Sequence, residues 1–100
     1  MKNEALPPPP SFEERVADTL RRLETWCERN DVPVTPAGEV DEPAACRLLG
    51  YSSSKALRHQ AIEGRLSPTL RRRLCGPRWL YRLDSIAEHI ELELDRYAAS

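Results

Sequence analysis

Between Phe12 and Cys27 the apolar residues return at helical period. Phe12, Val16, Leu20, Leu23 and Cys27 are spaced 4, 4, 3 and 4 apart, with Trp26 beside them, which places an apolar stripe on one face of a helix. Ser11 with Glu14 three residues on is a capping box that predicts the helix start. Asn30-Asp31-Val32-Pro33 predicts its end. An amphipathic helix over residues 11–31 must bury that stripe, as a packing face on its own domain or as a dimer face against the same helix of a second subunit. Arg15, Arg21, Arg22 and Arg29, with Asp18, Glu24 and Glu28, are expected on the outer face. Ahead of it, Pro7 to Pro10 close a proline-rich tail over residues 1–10, expected to be disordered and extended. Pro36 and Gly38 predict an irregular linker over 32–39.

From Val40 on, the elements are shorter. Asp41 as N-cap, Pro43 in the first turn and Gly50 after the last turn bracket a helix over 42–49, with Ala45, Leu48 and Leu49 expected inward. Serines 52 to 54 and Gly64 bracket a second one over Ser53–Glu63, with Leu57 and Ala61 inward. Two short helices across a glycine turn form a helix-turn-helix pattern. The period then changes: Leu70, Arg72 and Leu74 alternate with Arg71 and Arg73, Cys75-Gly76-Pro77-Arg78 reads as a turn, and Trp79-Leu80-Tyr81 has strand composition. A hairpin over Thr69–Arg82 follows, a candidate wing. Asp84 is expected to cap a last helix with Ile86, Ile90, Leu94 and Tyr97 on one face and Glu91, Glu93 and Asp95 outside. The expected fold class is mainly α with a small β-hairpin wing: a winged helix-turn-helix over 40–98 with an amphipathic helix before it.

Composition narrows the function classes. One hundred residues allow one small domain plus tails. No apolar run approaches the roughly 20 residues of a membrane span, and the proline run replaces the apolar core of a signal peptide. Cys27, Cys46 and Cys75 are an odd number, the usage of a reducing cytoplasm. With His59 and His89 they fall in no metal-ligand spacing, so no metal is expected and the thiols read as buried and free. No glycine-rich phosphate loop or paired nucleophile and base is present, so neither an enzyme nor a cofactor is expected. The net charge of −1 is unevenly distributed. Residues 47–82 hold nine Lys and Arg against Glu63 alone, a net of +8, between acidic ends of −5 and −4. Charges act over about 8–10 Å in physiological salt, so such a block favours a polyanion as partner.

Taken in order, Val40-Asp41-Glu42-Pro43-Ala44-Ala45, Leu48-Leu49-Gly50-Tyr51-Ser52, Glu63-Gly64-Arg65-Leu66, Gly76 to Arg82 and Asp84-Ser85-Ile86 through Ile90 resemble the MerR/excisionase-like winged helix-turn-helix domain, over about residues 40–92. His89 stands where family members often carry an aromatic. The resemblance implies non-enzymatic binding of double-stranded DNA by a small phage- or plasmid-type transcriptional regulator or excisionase-like recombination factor.

With Leu57 and Ala61 inward, Lys55 and His59 point away from the domain and Arg58 lies on the flank. Ser53 and Ser54 at the helix N-terminus can donate to phosphate, and Arg71, Arg73 and Arg78 on the hairpin can reach the flanking backbone or minor groove. Tyr51, Trp79 and Tyr81 are expected in the core. One module covers little DNA, so a homodimer or higher oligomer is expected. Two other readings remain: a phage terminase small subunit marking DNA for packaging, and a protein-interaction adaptor working through the N-terminal helix and acidic ends with a phage or host partner.

Overall fold

A computed structural model describes residues 7–99; the first six residues of the expected tail lie outside them. The described chain is mainly helical, with four helices and a three-stranded antiparallel sheet. Pro7 to Pro10 are exposed and in no regular element.

Helix α1 spans Phe12–Arg29 and begins where its cap predicts. Ser11 Oγ accepts from the Glu14 amide at 3.1 Å, and Glu14 Oε1 accepts from the Ser11 amide at 3.0 Å. Its apolar stripe lies along the last helix, α4 (Leu83–Ala99). Leu23 and Cys27 are buried there, and Val16, Leu20 and Trp26 pack against the core. Phe12 is half-buried at the near end of α1, under the Arg15 guanidinium.

Arg15 departs from the expected outer face. It turns onto α4, where its guanidinium meets both Asp95 carboxylate oxygens at 2.8 Å and Glu91 at 3.4 Å. Glu91 is not on an outer face either. It is buried, and Thr19 Oγ1 donates to its Oε2 at 2.7 Å. A buried carboxylate needs donors, and α1 supplies them.

Glu39 and Val40 were expected at the edge of a linker, yet Glu39–Asp41 form a strand, β1. With β2 (Arg72–Cys75) and β3 (Arg78–Arg82) it makes a sheet in the order β1-β3-β2. A three-residue strand carries no readable alternation, so its pairing comes from β3 and not from its own sequence. The register sets Val40 opposite Tyr81 and Arg72 opposite the other side of Tyr81. Val40 and Tyr81 are fully buried, so this face of the sheet meets the core. The hairpin runs over Arg72–Arg82, shorter than expected, and its tip lies beyond the core: Leu74 shares the Trp79 face but is 56% exposed.

Helix α2 spans Glu42–Leu49, with Asp41 accepting from the Ala44 amide at 3.1 Å. Its buried residues are Glu42, Ala44, Ala45 and Cys46, whereas Leu48 and Leu49 are half-buried. The inward face therefore lies nearer the helix start than expected, where β3 and α4 pack. Gly50 ends α2 at φ 83°. A Cβ there would meet nothing within 4 Å, so Gly50→Ala should cost only the left-handed backbone strain, roughly 1–2 kcal/mol, read as a shifted urea midpoint with unchanged slope.

Helix α3 spans Ser54–Ile62 with Ser53 as N-cap. Helix α4 starts at Leu83, two residues earlier than a cap at Asp84 would allow. The Asp84 carboxylate instead takes Arg82 in a fork at 3.0 and 2.8 Å. Ser85 Oγ donates to the Arg82 carbonyl and accepts from the Arg71 amide, both at 2.9 Å, tying α4 to the strand ahead of it. Ile86 is fully buried, but Leu94 and Tyr97, expected on the same inward face, are 54% and 76% exposed because α4 runs past the core.

Candidate nucleic-acid interface

The residues proposed from sequence fall on α3 and the hairpin. On α3, Ser53 Oγ accepts from the Ala56 amide at 3.1 Å. Lys55 and His59 are exposed and border one shallow groove with Ser53 and Gln60. His59 Nδ1 lies 3.4 Å from Glu63. Leu57 is the buried residue of the helix and fixes which side faces out. Ser54 and Arg58 lie on a second row, turned toward the hairpin tip.

That second row borders a cleft of about 510 Å³. It is lined by Asp41, Glu42 and Pro43 at the start of α2, Ser54 and Arg58 on α3, and Pro77, Arg78 and Trp79 at the hairpin turn. Arg58 Nη2 donates to Glu42 Oε1 at 2.8 Å. Glu42 is buried, and its other oxygen, Oε2, is one of two buried side-chain polar atoms with no hydrogen-bond partner among the described residues; the Tyr81 hydroxyl is the second.

The outer face of the sheet carries most of the hairpin cations, already paired. Arg73 of β2 reaches across β3 to Glu39 of β1, with Nε at 2.6 Å and Nη2 at 2.9 Å. The register neighbour of Arg73 on the central strand, Leu80, is buried on that face. Thr35 Oγ1 donates a further bond to Glu39 at 3.0 Å. Arg78 lies 3.5 Å from Asp41. On the other face Arg72 stacks over Trp79, 3.9 Å from the ring centre, which holds Trp79 half-buried at the core margin while Tyr81 is fully buried.

The +8 block is thus partly neutralised in place. Arg58, Arg65, Arg73, Arg78 and Arg82 meet carboxylates. Arg47 stacks on Trp26 at 4.6 Å and Arg72 on Trp79. Among the described residues Lys55 and Arg71 meet no carboxylate within 4 Å, although the Arg71 charge helps to lower Asp84. The acids Glu39, Asp41 and Glu42 were counted in sequence as part of a distant acidic end, and no pattern in their own segment points at Arg73, Arg78 or Arg58. The β1-β3-β2 register reveals the partners of Arg73 and Arg78, and the packing of α2 against α3 reveals that of Arg58.

No family model matches the chain, and neither curated proteins nor solved structures give a match. No helix among the described residues is long and apolar enough to cross a membrane. Cys27 and Cys46 are buried, and burial pushes both thiols up from their ordinary pKa. Cys75 corrects the expectation of three buried thiols: it ends β2 at the hairpin tip and is exposed.

Several of the paired carboxylates make stability sensitive to acid. The Arg73 fork holds Glu39 below the usual carboxylate range, as Arg82 does Asp84 and Arg15 does Asp95, while the Ser11 amide lowers Glu14. Each group binds its proton less readily folded than unfolded. Their contribution is therefore complete above the ordinary carboxylate range and is lost as pH falls through the lowered values. The Tm is expected to be flat from about pH 7 to 5 and to fall steeply below about pH 4, followed by fluorescence of Trp26 and Trp79.

Proposed function

We propose that this protein binds double-stranded DNA without catalysing a reaction, as a winged helix-turn-helix module. Helix α3 enters the major groove through Ser53, Lys55, Arg58 and His59, and the hairpin β2–β3 follows the flanking backbone as the wing. The observation that carries this reading is the shared cleft: the start of α3 and the tip of the hairpin border one concavity, with Arg58 and Arg78 on opposite walls. A groove-entering helix beside a backbone-contacting ribbon needs that juxtaposition. Lys55 and Arg71, exposed and in no close ion pair among the described residues, are the first phosphate contacts, and Arg73 and Arg78 join by exchanging carboxylate for phosphate. A single module buries about 600–1,000 Å², so two copies, or one copy and a partner, act together at a site. The role as a phage- or plasmid-type regulator or recombination factor follows from the family resemblance. An adaptor working through α1 is less well supported, because the apolar stripe of α1 is occupied by α4.

Fluorescence anisotropy on mixed-sequence duplexes across about 50–300 mM salt tests the proposal. Affinity should fall with a log–log slope of several units, since each phosphate contact contributes about 0.9. The Lys55→Glu/Arg71→Glu variant should lose binding while keeping its helical spectrum. Absence of wild-type binding at about 50 mM salt overturns the reading.

A further inference from the structure

The Glu42–Arg58 pair differs from the other ion pairs on this side of the molecule. Glu39 accepts three side-chain hydrogen bonds and belongs to the sheet. Glu42 accepts one, from Arg58, and its side chain is 9% exposed while that of Arg58 is 59% exposed. A carboxylate taken out of water and left with one oxygen unpartnered is costly. Hydrophobic packing at the start of α2 would be served better by an apolar residue. What the acid does achieve is orientation. It holds one terminal nitrogen of Arg58 at 2.8 Å where both side chains border the cleft, which fixes the guanidinium at that border.

Arginine is the side chain whose planar fork matches a pair of acceptors. Along the major groove, guanine offers such a pair in O6 and N7, and the arginine–guanine fork is the commonest specific contact there. A free arginine pays rotamer entropy to adopt that geometry. One already pinned by a buried acid pays less and is restricted in the directions it can offer. A phosphate needs no such restriction, because any cation within reach serves.

On the DNA-binding reading above, we infer that Glu42 is a positioning residue that holds Arg58 to read one guanine in the major groove, so that this pair sets sequence choice while Lys55, Arg71 and the hairpin arginines set affinity. Glu42 itself touches no base. Its effect reaches the DNA through Arg58, and it is confined to the position that Arg58 faces.

The test uses the full chain. Duplexes selected from a random-sequence pool give the preferred site, and anisotropy is then read on that site and on each single base-pair change. Wild type should favour G·C at one position by about 10- to 100-fold. Arg58→Lys, which keeps the charge and removes the fork, and the near-isosteric Glu42→Gln should both reduce that preference to about threefold or less. Preferences elsewhere and the salt slope should stay as in wild type. Full retention of the preference in Glu42→Gln, or an equal loss on every sequence, overturns the inference and leaves the pair as an ordinary fold contact. If Glu42→Gln fails to fold, Arg58→Lys alone decides, since its site is on the surface of α3: an unchanged preference overturns the inference. Sequence-independent binding in wild type overturns the inference but leaves DNA binding standing, whereas no binding to any duplex removes both.

Discussion

Removing residues 1–31 is expected to unfold the rest of the chain. Helix α1 is one wall of the core and not an appended element. Leu23 and Cys27 are buried on it, and Val16, Leu20 and Trp26 pack against the same cluster. A fully buried leucine contributes about 1.5–3 kcal/mol, so the stripe as a whole is worth about 5 kcal/mol or more. Small domains hold a total of about 5–15 kcal/mol. The polar side of the contact points the same way, because Thr19 and Arg15 supply the donors of buried Glu91. The 32–100 fragment should show weak ellipticity at 222 nm and no cooperative melt, where the full chain gives a single transition. A cooperative melt in the fragment would mean that the sheet, α2 and α4 hold a core without α1.

The elements that were legible in the sequence are those whose causes are local. Ser11 and Glu14 announce α1 because a capping box acts over three residues. Asp41, Pro43 and Gly50 bracket α2 for the same reason, and Ser53 marks the start of α3. The hairpin follows from alternation around Gly76 and Pro77, which form its turn. What failed was what depends on distant partners. Strand β1 is too short to announce itself and exists because β3 offers Tyr81 and Leu80 to pair with. The inward reading of Leu94 and Tyr97 assumed that an apolar face stays covered to the end of its helix, but α4 outruns its neighbours.

Charge misled in a more instructive way. Glu91 reads as a surface acid by type and spacing, yet it is buried because α1 brings it a hydroxyl and a guanidinium. Arg58, Arg73 and Arg78 read as open cations within a basic block, yet Glu42, Glu39 and Asp41 reach all three. For the candidate site, helical spacing was enough to separate Lys55 and His59 from Leu57, since side chains on one helix are placed by its own period. It could not say which cations were already neutralised. That depends on folding an acidic stretch of one part of the chain onto a basic stretch of another.

Leu57→Ala is expected to release α3 before anything else. Leu57 is fully buried, whereas the other eight residues of the nine-residue helix are half-buried or exposed. The contacts of α3 with other elements run chiefly to α2. Truncating a buried leucine to alanine costs about 2–5 kcal/mol, and here the loss falls on the one side chain that anchors the helix. Native-state hydrogen exchange should show the amides of α3 losing protection by about 30- to 4,000-fold, the same range on the scale of tenfold per 1.4 kcal/mol. Amides of α1 and α4, tied to each other through Thr19, Glu91 and the apolar stripe, should change less. Lys55→Ala on the exposed row serves as control and should shift stability by about 0.5 kcal/mol or less. Equal loss of protection in α1, α3 and α4 would instead make α3 an integral part of a single cooperative unit. Selective loss bears on the DNA reading too: a helix held by one anchor presents Lys55, Arg58 and His59 correctly only while that anchor is seated, so duplex affinity should fall together with α3 protection and not with global stability.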